Sequence, residues 1–153
     1  MLPVAPRQAV ADGAAADIPL LVGVTRDEVR VFQMIGGDSF RPEDETALYT
    51  EMRRAGVTEP EKLLDAYRSR IADSGDLSAL RGVFLTDALY RIPATRLARA
   101  QAGAGGRAYH YLLVDEPCGP AMGAFHGADL LHVFDSPSLV GAWAAFAATG
   151  SPG

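Results

Sequence analysis

Two short apolar runs, far apart in the chain, constrain its fold more than any other feature. Ile18 to Val24 (Ile-Pro-Leu-Leu-Val-Gly-Val) is continuous and bounded by turn-forming residues. Arg107 to Val114 (Arg-Ala-Tyr-His-Tyr-Leu-Leu-Val) is rich in aromatic and aliphatic side chains. Both read as β-strands. A strand with no polar face suits a parallel sheet covered on both sides, and it needs neighbours along both edges. Two strands with four or five helices do not make a normal sheet. The expectation is an α/β chain, a mostly parallel sheet flanked by helices, incomplete on its own and packing against sheet it does not contain. On pattern alone the alternative is a small helical domain with one strand pair.

The residues between the strands read as helices. Met1 to Asp17 lacks periodicity and reads as an irregular lead-in. Thr25 opens a short helix or turn through Gln33 to Ile35, broken at Gly36-Gly37-Asp38. Pro42 to Arg54 has acids in its first turn and Leu48 and Met52 four apart. Thr58-Glu59-Pro60-Glu61 has capping-box spacing, with a helix to about Ile71. Asp76 to Tyr90 carries Leu77, Leu80, Phe84 and Ala88 in helical register, and Pro93 starts a further helix to about Ala102. Ala128 to Phe134 reads as a helical turn, and Asp135-Ser136-Pro137 starts a last helix, Leu139 to about Ala148.

Charge and motif spacing narrow the function classes. The net charge is −5, with no basic run interleaved with aromatics, which argues against a nucleic-acid partner. No apolar stretch approaches the roughly 18 residues of a membrane span. Met1 to Val10 shows no signal peptide, and the compartment stays open. The histidines at 110, 126 and 132 show no metal-ligand spacing, so no metal is expected. Gly103-Ala-Gly-Gly106 precedes a strand, whereas the dinucleotide fingerprint follows one, so it makes a weak phosphate cradle. Cys118, the lone cysteine, forms no internal disulfide and reads as a nucleophile or as a plain thiol.

Two residues at strand ends could carry chemistry. Glu28 follows the first strand in Thr25-Arg26-Asp27-Glu28, and His126 follows the second in Gly123-Ala-Phe-His126-Gly127. Ligands and catalytic groups gather at the carboxyl ends of strands in open α/β sheets. Acid before histidine is also the order of the last two members of a Ser…Glu…His triad. The plainer reading of Glu28 is a capping box, its carboxylate bonded back to the Thr25 N–H. The plainer reading of His126 is a solvent-facing loop residue. Gly123 and Gly127 would let the loop take positive φ and present the ring. His110, inside a strand, and His132, among aliphatic neighbours, read as structural. None of the serines (39, 69, 74, 78, 136, 138 and 151) lies in Gly-x-Ser-x-Gly, and no HGG-type segment supplies an oxyanion hole.

Taken together, these segments resemble the C-terminal portion of the type-B carboxylesterase family, which includes cholinesterases and para-nitrobenzyl esterases. The resemblance runs through Ile18-Pro-Leu-Leu-Val-Gly-Val-Thr-Arg-Asp-Glu28, Phe32 and Leu85-Thr-Asp-Ala-Leu-Tyr-Arg-Ile-Pro93. It continues with Tyr109-His-Tyr111, Gly123-Ala-Phe-His126-Gly127-Ala-Asp-Leu, Val133-Phe134, and Trp143-Ala-Ala-Phe146 through Pro152. It implies an α/β-hydrolase fold, a carboxylic ester substrate and no cofactor. Glu28 becomes the triad acid and His126 the base. The serine and oxyanion glycines belong to an N-terminal portion of the same fold, not contained here. The sequence departs from the family at Val29, Asp129 and Asp135, where glycine, glutamate and glycine are usual; none removes a catalytic group. The resemblance implies a fragment inactive alone. A non-catalytic binding or adhesion domain, or an inactive remnant, is the other reading.

Overall fold

A computed structural model describes residues 3–71, 74–132 and 137–153. Helix α1 (Pro6–Ala11) precedes strand β1 (Leu20–Thr25), and α2 (Arg30–Gly36) runs into a 3₁₀ turn (Gly37–Phe40). Helices α3 (Glu45–Arg54), α4 (Pro60–Arg68) and α5 (Leu77–Thr86) follow. A π-helical turn (Asp87–Arg91) joins α5 to α6 (Ile92–Gly103). Strand β2 (Ala108–Leu113) and helices α7 (Ala128–His132) and α8 (Pro137–Thr149) complete the chain.

Both expected strands form, and they pair with each other in parallel, from Leu20 opposite Ala108 to Thr25 opposite Leu113. Among the described residues this is the whole sheet. One pairing explains Gly23: a Cβ there would lie 1.9 Å from the Tyr111 ring, so only glycine admits that side chain. The expected burial of β1 on both faces is met only at its end. Val24 and Thr25 are buried and Leu20 to Gly23 are half-buried, because a two-stranded sheet leaves edges uncovered. His110 also departs from expectation: it is exposed, as is Leu112 two residues on. Side chains alternate along a strand, and this set is not covered. Tyr109 and Tyr111 alternate with it, and their rings meet Phe146 and Trp143 of α8.

The densest packing lies away from the sheet. Leu48 and Met52 of α3, Leu64 and Tyr67 of α4, and Leu80 and Phe84 of α5 form one buried cluster. Asp44 caps α3 by accepting the Ala47 N–H at 2.8 Å, and Asp76 caps α5 through Ser78. The capping box expected at Thr58 does not form: Glu59 is the N-cap, with no side-chain cap bond, and Pro60 fills the first helical position. The lead-in expected to be irregular contains α1, which packs on α6. Buried Gln101 of α6 fastens it by donating to the carbonyls of Ala15 and Ile18, both at 2.8 Å.

Pro93 does not start a separate helix; α5, the π turn and α6 are contiguous. Proline lacks the N–H that would bond the carbonyl four residues back, and its ring would strike that carbonyl. A π turn widens the backbone at that place, and the Ile92 N–H donates to the Asp87 carbonyl five residues back. The helix start expected at residues 135 and 136, and the Val133-Phe134 pair, lie outside the described residues.

Candidate active site

Glu28 and His126 are brought together. The His126 Nδ1 and the Glu28 Oε2 are 2.7 Å apart, across 98 residues of sequence. The parallel pairing sets the two carboxyl ends side by side, and the loop after β2, bonded at Ala124 to Asp27, carries His126 back to the turn of Glu28. Glu28 is 4% exposed, whereas the His126 side chain is 50% exposed. A buried carboxylate must be hydrogen-bonded to offset lost hydration. Its other oxygen, Oε1, accepts the Thr25 N–H at 2.7 Å. Half of the capping box expected at Thr25 forms, the bond to Oε1; no helix starts there, since α2 begins at Arg30 with Val29 as its N-cap, and the other carboxylate oxygen faces His126.

The turn that carries Glu28 is fixed on three sides. The Arg26 N–H donates to the Leu113 carbonyl at 2.8 Å, extending the strand pairing. The Val29 N–H donates to the Thr86 Oγ1 at 3.2 Å, and an Arg91 guanidinium N–H donates to the Arg26 carbonyl at 3.1 Å. Val29, where glycine is usual, keeps right-handed dihedrals (φ −85°, ψ −5°) and is buried. No left-handed backbone is required, so the β-branched residue fits.

Asp27 ties the acid's turn to the histidine's loop. Its N–H donates to the Ala124 carbonyl at 2.9 Å, and its Oδ2 accepts the Ala124 N–H at 3.0 Å. Gly123 has φ +60° and Gly127 φ +86°, as the loop reading anticipates. At Gly123 a Cβ would also lie 2.5 Å from the Asp27 Oδ2. Arg26 donates to Asp27 at 2.9 Å and pairs with Glu116; these bonds, Asp27 first, raise its guanidinium above the ordinary range. Arg30 reaches the carbonyls of Ala121 and Pro120. Charge-assisted bonds of this kind are the stronger ones. The sequence shows Asp27 and the arginines only as a charged stretch, because their partners lie about ninety residues away.

Two aromatic rings flank the imidazole. The Tyr90 centroid lies 5.3 Å from it at a 48° tilt, and Phe32 lies 5.7 Å away at 39°. Such pairs contribute about 0.5–1.5 kcal/mol beyond area burial. A cleft of about 440 Å³ opens beside the dyad, lined by Gly23, Glu28, Leu89, Tyr90, Tyr111 and His126 among others. Burial and the nearby Asp129 carboxylate raise the Tyr111 phenol above its ordinary range. Cys118 is exposed and free. Among the described residues no group of His, Cys, Asp and Glu could hold a metal, and no helix is long and apolar enough to cross a membrane.

With its parallel strand pair among helices and its likeness to solved esterases, the chain is part of an α/β-hydrolase-type fold. It belongs to the carboxylesterase family, whose model matches residues 1–152. It is 30% identical to the para-nitrobenzyl esterase of Bacillus subtilis over 99% of its own length and 33% of that protein's. The structure of PNB esterase matches at a TM-score of 0.76 and 30% identity, covering 99% of this chain and 33% of that one. A Geobacillus stearothermophilus carboxylesterase matches at 0.76 and 27%, covering 97% and 34%. The chain therefore spans about a third of the length of these relatives.

Proposed function

We propose that this chain supplies the acid and the base of a Ser-Glu-His triad for carboxylic ester hydrolysis. Residues 1–153 then form the C-terminal portion of the hydrolase domain. The serine and the oxyanion donors come from an N-terminal portion of the same fold. One observation carries the reading: the 2.7 Å contact between the His126 Nδ1 and a buried Glu28 whose second oxygen is already engaged.

The chemistry follows from that contact. With the Nδ1–H donated in a hydrogen bond to the Glu28 carboxylate, Nε2 is left as the basic nitrogen. It takes the serine proton as the hydroxyl attacks the ester carbonyl, and the carboxylate stabilises the imidazolium that forms. The imidazolium protonates the leaving alcohol. Water then attacks the acyl-enzyme with His126 again as base, and the imidazolium returns that proton to the serine oxygen as the ester bond breaks and the acid leaves. The chain by itself has no residue in the elbow that such a serine needs, so it is inactive alone.

A chimaera tests the proposal. The chain replaces the matching third of the Bacillus subtilis para-nitrobenzyl esterase, and hydrolysis of a para-nitrobenzyl ester is followed. The expected result is turnover that falls at least about a thousandfold in kcat on His126→Ala, the loss typical of a triad member. A folded chimaera whose turnover ignores His126→Ala overturns the reading. So does ester turnover by the isolated chain that His126→Ala abolishes.

A further inference from the structure

We propose that Tyr90 is a positioning residue for His126, holding the imidazole in the orientation that presents Nδ1 to Glu28. The inference rests on the triad reading above and deepens it.

One hydrogen bond fixes a point on the ring, not its plane. The His126 side chain is half exposed, and its loop is bracketed by Gly123 and Gly127, both at positive φ. Among the described residues, the Glu28 bond is the one protein hydrogen bond recorded for the imidazole. The ring's orientation must come from packing. Phe32 touches it from the short helix α2 and is itself 43% exposed. Tyr90 touches it from the π turn and is half-buried.

The π turn makes Tyr90 the better reference. Thr86, just before the turn, accepts the Val29 N–H beside Glu28. Arg91, the turn's last residue, donates to the Arg26 carbonyl and pairs with Asp87 at 2.9 Å. Tyr67 of the helical cluster donates its hydroxyl to Asp87 at 2.9 Å. The element that holds the acid's turn therefore also holds the base's ring, and both are referred to the buried cluster of α3 to α5. Pro93 keeps the wide turn from closing to α geometry, which would rotate later residues by roughly 100° about the helix axis. π turns inside α-helices are frequent at functional sites.

The test reads the imidazole directly in the full chain by long-range ¹H–¹⁵N spectra, with His126→Gln assigning the signals against His110 and His132. The native chain and Tyr90→Phe are expected to show His126 as the Nδ1–H tautomer with a slowly exchanging low-field proton. Tyr90→Ala and Tyr90→Leu are expected to lose that proton and mix in the Nε2–H tautomer, with the amides of Leu48, Met52 and Leu80 unmoved. Tyr90→Leu keeps most of the bulk, so the question survives an unfolded alanine variant. Native-like His126 signals in the leucine or alanine variant overturn the proposal, as does their loss in Tyr90→Phe. A native chain without the Nδ1–H tautomer overturns the dyad itself before Tyr90 is changed.

Discussion

Gly123→Ala is the substitution that most directly probes how the histidine loop is held. Two costs arise at one Cβ. The first is conformational: φ is +60°, where an L side chain costs about 1–2 kcal/mol. The second is steric: the Cβ would lie 2.5 Å from the Asp27 Oδ2 and 3.1 Å from its Cγ. Asp27 could escape only by turning its carboxylate away, which abandons the Ala124 N–H and loosens Arg26. A lost hydrogen bond to a charged group is worth about 1.5–3 kcal/mol. With some relaxation of a partly exposed loop, the native arrangement loses about 2–4 kcal/mol, and the loop opens more easily. The readout is hydrogen exchange at the amide of residue 27, which donates to the Ala124 carbonyl at 2.9 Å. At a factor of ten per 1.4 kcal/mol, its protection should fall by about thirtyfold to a thousandfold. A double-mutant cycle separates the costs. In an Asp27→Ala background the carboxylate clash is gone and only a 3.3 Å contact with the residue 27 Cβ remains, so Gly123→Ala should cost little beyond the conformational term of about 1–2 kcal/mol. Equal losses in both backgrounds would refute the argument that Asp27 and Gly123 are fitted to each other.

Two further outcomes follow from the helical cluster. Burial, and then the Asp87 carboxylate, push the Tyr67 phenol above its ordinary range. The folded state then keeps a proton that the unfolded chain releases near pH 10, so stability is whole below that pH and declines above it. Tyr67→Phe should flatten the decline in urea midpoints between about pH 9 and 11, and cost about 1–2 kcal/mol at neutral pH through the lost bond to Asp87. Arg81 binds Glu51 through two nitrogens at 2.8 and 2.9 Å, donates to the Phe40 carbonyl at 2.8 Å and lies over the Phe40 ring. Lysine reproduces neither the fork nor the stacking, so urea denaturation of Arg81→Lys should show most of the alanine variant's loss, about 1–2 kcal/mol. Full rescue by lysine would count against the fork.

The strands, the principal helices and the pair Glu28 and His126 were legible because each rests on a local pattern: an apolar run, a four-residue spacing, a capable side chain at a strand end. The links that make a site of them were not. Asp27 looks like one acid in a charged stretch until Ala124 arrives beside it. Thr86, Tyr90 and Arg91 sit in a segment that reads as the end of one helix and the start of another. Pro93 is ambiguous in the same way, since a proline suits a helix's first turn and also a π turn within a longer helix. His110 misled because a residue inside a strand is core only if something covers its face, and coverage is a tertiary fact. Thr58 shows the converse: capping-box spacing was present and the box did not form, since Pro60 sets the helix start one residue later.

The parallel pairing of Leu20 with Ala108 also bears on how the chain reaches its native state. The strands cannot form a hairpin; closing a flexible loop of roughly 90 residues costs on the order of 4 kcal/mol in chain entropy. The helices between them meet mostly near neighbours in sequence, and such contacts form early. Once Leu48, Met52, Leu64, Tyr67, Leu80 and Phe84 have gathered, most of that loop is already folded. The remaining search is short: a few turns and the π-linked helix swing β2 alongside β1. Glu28 and His126 are therefore expected to meet after the helices, so in refolding their contact should appear no earlier than the helical signal.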